Sequence, residues 1–174
     1  MTTTTMTVLE TERLILRRIT QGDAEFYLAL LNEPSWLRFI GDKGVRTLEQ
    51  AHASIVNGPL AMYERHGFGL YVTALKADGT PIGMCGLIKR DGLDDVDIGY
   101  AFFPRYRGQG YALEAAAAVQ AHGKSAFDLK RLVAITNPDN HGSIRLLENI
   151  GMKFEKMISL SEDKSEIRLY AYQY

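Results

Sequence analysis

The sequence predicts one domain of the α/β class, in which helices flank a mixed sheet in an α+β arrangement. Three observations support this prediction. The chain has 174 residues, about the length of a single domain, and 46% of them are hydrophobic. Apolar residues recur at helical spacing in four segments and at a spacing of two in others. Along the chain, the segments are ordered as strand, two helices, three-strand meander, helix, strand, helix and hairpin.

The N-terminal part of the domain begins with a strand and a helix. Residues 1–7 open with a threonine run and are expected to form a disordered tail, so that the domain covers 8–174. The apolar residues 14–16, flanked by arginines, predict the first strand. Asp23 begins a predicted helix, which is expected to stop at 32–34, where Asn, Glu and Pro follow one another.

A second helix is predicted after Thr47. Gln50 follows three residues later, as in a capping box, where each side chain bonds the other residue's backbone N–H. The helix is expected to run toward Arg65. Gly58 and Pro59 lie inside it, and the helix should bend or break there because proline lacks an N–H and crowds the preceding turn.

The remaining segments alternate strands with two further helices. The predicted elements are strands over 70–75, 82–89 and 96–103, a helix from 111 to at least 121, a strand over 132–136, a helix over 143–150 and a hairpin of 154–160 with 167–172. Asp-Gly pairs at 78–79 and 91–92 mark the turns of the meander. Gly151 suits the left-handed position that closes a helix.

Composition and charge exclude several classes of function. Twenty basic and 21 acidic residues give a net charge of −1, so bulk attraction to nucleic acid or a membrane is not expected. The single cysteine, Cys85, excludes an internal disulfide, and neither it nor the four histidines indicate a metal site. No apolar run approaches the roughly 18 residues that span a bilayer. The protein is expected to be cytoplasmic, and the sequence leaves monomer and homodimer equally open.

A loop with two glycines and two arginines indicates the chemistry most directly. It joins a predicted strand to a predicted helix and contains Arg105, Arg107, Gly108 and Gly110. Helix N-termini present unpaired backbone N–H groups and partial positive charge. Glycines let a phosphate approach the backbone without a Cβ in the way. The loop therefore suits a pyrophosphate, although a simple helix-capping turn has the same composition.

Other phosphate and metal motifs fit the sequence less well. Residues 123–125 read Gly-Lys-Ser, as in a P-loop, but they end a predicted helix instead of opening one. The dinucleotide fingerprint fails because Leu113 stands where a third small residue is required. The aspartates between 91 and 97 lack both the spacing and the closing glutamate of a calcium-binding EF-hand.

Four segments of the chain match the motifs of one known family. Arg105, Gly108 and Gly110, followed by Ala112, fit the pattern Arg/Gln-x-x-Gly-x-Gly/Ala. The other matching segments are 97–100, 136–152 and 11–17. Along the chain, the four segments fall in the family's order. Together they resemble the GNAT superfamily of acetyl-CoA-dependent N-acetyltransferases. The opening segment is similar to the branch that acetylates the N-termini of ribosomal proteins.

The resemblance implies a fold and a cofactor. In this family the sheet is mostly antiparallel, and the strand at 96–103 splays from the parallel strand at 132–136. The pantetheine arm of acetyl-CoA lies in the gap and pairs with backbone groups, while the glycine loop holds the pyrophosphate. The resemblance thus implies these cofactor-binding residues: Ala101, Phe102, Phe103, Arg105, Tyr106, Arg107, Gly108, Gln109, Gly110, Tyr111, Ala112, Asn137, Asn140 and Ser143.

The resemblance also implies catalytic roles. A neutral amine attacks the thioester directly in a ternary complex, so a base helps. Asp97 is the candidate base because its strand passes beside the thioester. Many members place a tyrosine acid seven residues after the position of Asn140; here that residue is Leu147, and Ser143 is the expected substitute. The expected acceptor-site residues are Trp36, Phe39 and Tyr100.

The predicted function is acetyl transfer to a primary amine, and the opening segment favours a protein or peptide N-terminal amine. A small acceptor, such as a polyamine, an aminoglycoside or an amino-acid-like amine, is the alternative within the same chemistry. From a different class, the missing tyrosine at Leu147 also fits a catalytically weak protein that binds acyl-CoA for regulation.

Overall fold

An eight-stranded mixed sheet forms the centre of the structure, a computed structural model that describes residues 5–174. Its strands are β1 (Thr7–Glu10), β2 (Leu14–Arg18), β3 (Leu70–Leu75), β4 (Pro81–Ile88), β5 (Asp97–Phe102), β6 (Arg131–Thr136), β7 (Lys153–Ile158) and β8 (Ile167–Gln173). The helices are α1 (Ala24–Leu31), α2 (Pro34–Phe39), α3 (Leu48–Ile55), α4 (Ala61–His66), α5 (Tyr111–Phe127) and α6 (His141–Asn149). Of the predicted tail, residues 1–4 lie outside the described residues, and Thr7 begins β1.

The strands are ordered β1-β2-β3-β4-β5-β6-β8-β7, and neighbours are antiparallel except for β5 and β6. Within the described chain, that parallel pair is joined at one position, Asp97 opposite Val133, where Val133 N–H donates to the Val96 carbonyl at 3.0 Å. Beyond it the strands separate toward their C-terminal ends, and a wedge opens between them. The predicted mixed sheet with its splayed parallel pair is confirmed.

Small side chains bring α5 close to the sheet beside this wedge. Ala115, Ala116 and Val119 are fully buried, and the helix packs on β4 and β5. A Cβ at Gly123 would lie 2.7 Å from the Tyr174 hydroxyl, so the glycine permits tight packing in the helix interior. The close contact fixes the N-terminus of α5 at the mouth of the wedge.

The predicted capping box after Thr47 is confirmed. Gln50 N–H donates to Thr47 Oγ1 at 3.1 Å, and Thr47 N–H donates to Gln50 Oε1 at 3.2 Å. The expected bend or break at Gly58 and Pro59 is confirmed as an interruption of the α-helix. They lie in a π-helical turn, Val56–Leu60, which joins α3 to α4 and carries the proline without ending the helical run.

Two short elements escaped sequence prediction, β1 and α2. The predicted stop of the first helix is confirmed, because α1 ends at Leu31. Pro34 also stands in the first turn of α2, where a missing N–H costs no hydrogen bond. As a result α2 places its aromatic residues beside the wedge. In residues 5–174, no helix combines the length and the apolar character that crossing a bilayer requires.

Candidate functional site

A cavity of about 1010 Å³ occupies the wedge between β5 and β6. It is lined by the glycine loop and the first turn of α5, and also by residues of the β4–β5 and β7–β8 connections. Predicted site residues that line it are Trp36, Phe39, Asp97, Tyr100, Ala101, Phe102, Tyr106, Arg107, Gly108, Gly110, Tyr111, Ala112, Asn137, Asn140 and Ser143. The predicted residues outside the lining are Phe103, Arg105 and Gln109.

The glycine loop forms a cradle at the start of α5. Gly108 and Gly110 have φ of +74° and +83°, and Gly110 is the N-cap of the helix. Glu114 N–H donates to the Gly110 carbonyl at 3.0 Å, so the N–H groups before Glu114 precede the first intrahelical bond. A Cβ at Gly108 would meet no atom within 4 Å in the described structure. The cradle therefore has room for a phosphate and donors to hold it.

An ion pair from the start of the chain fixes this cradle. Arg13 Nε lies 2.8 Å from Glu114 Oε1, and Arg13 Nη1 donates to the Gln109 carbonyl at 2.9 Å. The same guanidinium lies 4.3 Å from the centre of the Tyr111 ring. From the sequence, Arg13 was only part of the segment 11–17 that matches the family motifs. In the structure, its contacts hold the glycine loop in place.

The two loop arginines have different partners. Arg107 Nη2 donates to Ser35 Oγ at 2.6 Å and to the Phe102 carbonyl at 2.9 Å, which ties the loop to α2 and β5. The Arg105 guanidinium instead packs over the ring of Tyr106, 5.2 Å from its centre. Arg107 thus holds the loop in shape, and a role in phosphate binding stays a prediction for both arginines.

The backbone of β5 presents alternate groups to the wedge. Phe103 N–H donates to the Ile82 carbonyl at 3.0 Å, so it belongs to the β4 side of the strand. Because hydrogen-bonding groups alternate along a strand, Ala101 also faces β4, whereas Tyr100 and Phe102 direct theirs toward the gap. Among the three predicted strand residues, Phe102 therefore has the N–H best placed for a cofactor amide.

Polar side chains at the start of α6 border the other wall of the wedge. Asn140 Oδ1 caps the helix by accepting from Ser143 N–H at 3.2 Å, and Asn137 Oδ1 accepts from Asp139 N–H at 2.9 Å. Thr136 also lines the cavity, and its buried Oγ1 has no partner within residues 5–174. A buried hydroxyl without a partner is costly, so a ligand group is the natural partner for Thr136. Sequence analysis missed this residue.

A hydrogen bond between two predicted site residues spans the wedge. Tyr100 Oη on β5 and Ser143 Oγ on α6 lie 2.6 Å apart. Burial raises the pKa of Tyr100, so its hydroxyl stays protonated at neutral pH. Leu147, at the position where the family often has tyrosine, is fully buried in the core. The structure thus brings another tyrosine hydroxyl to the serine proposed as the acid.

Asp97 is fully buried at the closed end of the wedge. Both of its carboxylate oxygens accept from Arg90 Nε, at 3.2 and 3.1 Å. Burial raises the pKa of Asp97 to about 6, although the Arg90 charge opposes that change. Asp97 is therefore ionised at neutral pH and titrates in the range useful to a base. Its partner Arg90 was not predicted from the sequence.

The two aromatic acceptor-site candidates, Trp36 and Phe39, lie on α2 and line the cavity. Trp36 is 7% exposed, and its indole Nε1 finds no acceptor in residues 5–174. An indole N–H without a partner next to a cavity is available to a ligand. Both side chains border the cavity, and their role in binding the acceptor stays a prediction.

The chain was compared with known families and proteins. Residues 13–153 match the family model described as the acetyltransferase (GNAT) domain. "Uncharacterized N-acetyltransferase YoaA" of Bacillus subtilis is 32% identical over 153 residues, which cover 87% of this chain and 85% of that protein.

Solved structures with the same fold include two informative examples. The GNAT-family acetyltransferase of Bacillus anthracis has a TM-score of 0.78 at 25% identity, over 95% of this chain and 97% of that one. RimL, a ribosomal L7/L12 alpha-N-protein acetyltransferase in complex with coenzyme A, has a TM-score of 0.81 at 18% identity, over 96% of this chain and 97% of that one. At that identity, the likeness to RimL establishes the fold.

Proposed function

The chain belongs to the GNAT acetyltransferase family as an acetyl-CoA-dependent N-acetyltransferase, and we propose that its acceptor is the α-amino group of a protein or peptide. The observation that carries the reaction class is the wedge, open beyond Asp97 and Val133 and ending at a glycine cradle. Besides the wedge and the cradle, the cavity is lined by α2 and by the β4–β5 and β7–β8 connections, which leaves room for an acceptor. The structural likeness to RimL, which acts on a protein α-amine, supports this acceptor class.

The residues of the wedge suit the cofactor. The cradle at Gly108 and Gly110 fits the pyrophosphate, and Thr136 supplies a free hydroxyl beside the gap. Bound acetyl-CoA supplies a thioester carbonyl that a neutral amine can attack. Asp97 is the proposed base that accepts the proton of the amine. The Tyr100 N–H, which also faces the gap, stabilises negative charge on the carbonyl oxygen. The Ser143 hydroxyl, which is hydrogen-bonded to the Tyr100 hydroxyl, donates the proton to the departing sulfur.

The acceptor is tested by following thiol release from acetyl-CoA with a panel of amines. We expect release with peptides that have a free N-terminus, and mass spectrometry should place the acetyl group on the α-amine. The matched control is the same peptide with a blocked N-terminus and an internal lysine. Release with polyamines or aminoglycosides alone would overturn the proposed acceptor. Cofactor binding without release for any amine would instead support a regulatory protein.

Alanine in place of Ser143 is expected to lower kcat about 30-fold and to leave the affinity for acetyl-CoA nearly unchanged. The Ser143 backbone N–H still donates to Asn140, so the cap of α6 is retained. Tyr100→Phe should lower kcat by a similar factor, and the double variant should be no worse than either single one because the hydroxyls act as a pair. Steady-state kinetics and calorimetry measure both quantities.

Ser125→Ala is the control for this pair, since Ser125 lies on α5 outside the cavity lining. It should keep the kcat of the unmodified protein. Wild-type turnover in Ser143→Ala would exclude Ser143 as the proton donor, and strictly additive losses would show that Tyr100 and Ser143 act independently.

A further inference from the structure

Three basic side chains that line the cavity belong to connections other than the glycine loop. Lys43 follows α2, Arg90 lies between β4 and β5, and Lys164 lies between β7 and β8. We call these three residues the cation cluster. Because they belong to three separate connections, their presence in one cavity results from the fold and could not be predicted from their spacing in the sequence.

Neighbouring carboxylates neutralise only part of the positive charge of the cation cluster. Arg90 is paired with Asp97, but neither Lys43 nor Lys164 has a carboxylate within 4 Å in residues 5–174. Desolvation, followed by the charges of Arg90 and Lys164, lowers the pKa of Lys43. The lining also contains Glu33 and Asp163, neither of which forms an ion pair with the cluster.

Arg90, the member of the cation cluster that is tied to β5, lies far from the cradle. It bonds Asp97 at the first residue of β5, and the cradle follows Phe102 at the last. Six residues of extended chain span roughly 17 Å. The connection that holds Lys164 touches the connection that holds Arg90, because a Cβ at Gly92 would lie 3.5 Å from Leu160. A negative group held beside Arg90 is therefore assigned to the second substrate and not to the pyrophosphate that the cradle is proposed to bind.

We propose that the acceptor carries a carboxylate close to its reacting amine, and that Lys43 and Lys164 bind this carboxylate while Arg90 stays on Asp97. The inference rests on the proposed acetyl transfer and narrows its acceptor. Two sources supply the same chemistry: an acidic side chain just after the N-terminus of a peptide, or the free carboxylate of a short peptide or amino acid. Polycationic amines would be repelled.

The test compares three amidated peptides that share an N-terminal alanine and carry Glu-Glu, Gln-Gln or Lys-Lys at the next two positions. For the unmodified protein, we expect kcat/KM to be about tenfold higher for the Glu-Glu peptide than for the Gln-Gln peptide, mainly through KM. The ratio should shrink in 0.5 M NaCl because salt screens exposed charges. A separate arm compares Ala-Ala with a free C-terminus against its amide and identifies which carboxylate source is used.

The ratio of kcat/KM for the Glu-Glu peptide to that for the Gln-Gln peptide should fall severalfold in Lys43→Gln and in Lys164→Gln. In Lys43→Glu, this ratio should fall below one. The matched control is Lys156→Gln, a lysine on exposed β7 that does not line this cavity; its ratio should equal that of the unmodified protein. Calorimetry with coenzyme A checks that the cofactor still binds each variant.

The outcomes separate this inference from the proposed function. Equal kcat/KM for the acidic and neutral peptides, or a ratio that ignores all Lys43 and Lys164 variants, overturns the carboxylate proposal and leaves acetyl transfer to peptides standing. Activity confined to small amines with a free carboxylate, and dependent on Lys43, supports the carboxylate proposal and overturns the peptide acceptor.

Discussion

Valine in place of Gly108 is expected to weaken coenzyme A binding about 100-fold, measured by calorimetry. The Cβ of the new side chain would point into open space at the cavity wall, where the cradle is proposed to hold the pyrophosphate. Loss of one or two hydrogen bonds to a charged group accounts for a change of this size. The positive φ of +74° adds strain, because a β-branched residue rarely adopts it.

Gly79→Val is the control that distinguishes the effect of backbone strain in Gly108→Val from the effect of excluding the phosphate. Gly79 has a φ of +78° and equally open surroundings, but it lies in the β3–β4 turn, away from the cavity. Both variants should lose similar stability in thermal unfolding, and only Gly108→Val should lose coenzyme A. Equal affinities of the two variants would show that the cradle does not hold the pyrophosphate.

The strand and helix pattern could be predicted from the sequence where local signals are strong. The strand at 70–75 and the capping box at Thr47 depend on signals from neighbouring residues, and both are present. The splay of β5 from β6 depends on which distant strands pair, which periodicity does not encode. It was predicted only through the family resemblance. The segment with Pro34 correctly marked the end of α1, but proline also begins helices, and α2 was not predicted.

For the site, the motif residues were predictable, but their partners were not. Arg13 and Glu114 are 101 positions apart, and Tyr100 and Ser143 are 43 apart, so no sequence spacing indicates either contact. Each partner changes the chemistry of a predicted residue. Arg13 braces the cradle, and Tyr100 supplies a hydroxyl that Leu147 cannot.

Asparagine in place of Asp97 is expected to lower kcat/KM about 100-fold at pH 7.5 while the fold is retained. Asparagine has nearly the same shape, and Arg90 is about one-third exposed, so water can solvate its unpaired charge. The diagnostic measurement is the pH profile. In the unmodified protein, kcat/KM should rise through a pKa of about 6 as Asp97 ionises, and the variant should lack this limb. The second limb, from the amine itself, should remain in both proteins.

Asp97→Asn should also change the free energy of unfolding, and the sign of the change follows from the raised pKa of Asp97. An unfolded aspartate titrates near about 3.9, below the folded pKa of about 6, so the folded protein binds more protons between those values. The contribution of Asp97 to the free energy of unfolding therefore falls as pH rises from about 4 to 6. Relative to the unmodified protein, Asp97→Asn should gain stability over that interval, by roughly 3 kcal/mol at most. Urea unfolding at several pH values measures the difference.

Asp95→Asn provides the matched control, because Asp95 is two positions away and paired with Arg131 outside this cavity. It should keep both the limb near pH 6 and the activity. A role of Asp97 confined to holding Arg90 would lower kcat/KM without removing that limb. A limb that survives in Asp97→Asn would therefore assign the proton transfer to another group and leave Asp97 as a structural partner of Arg90.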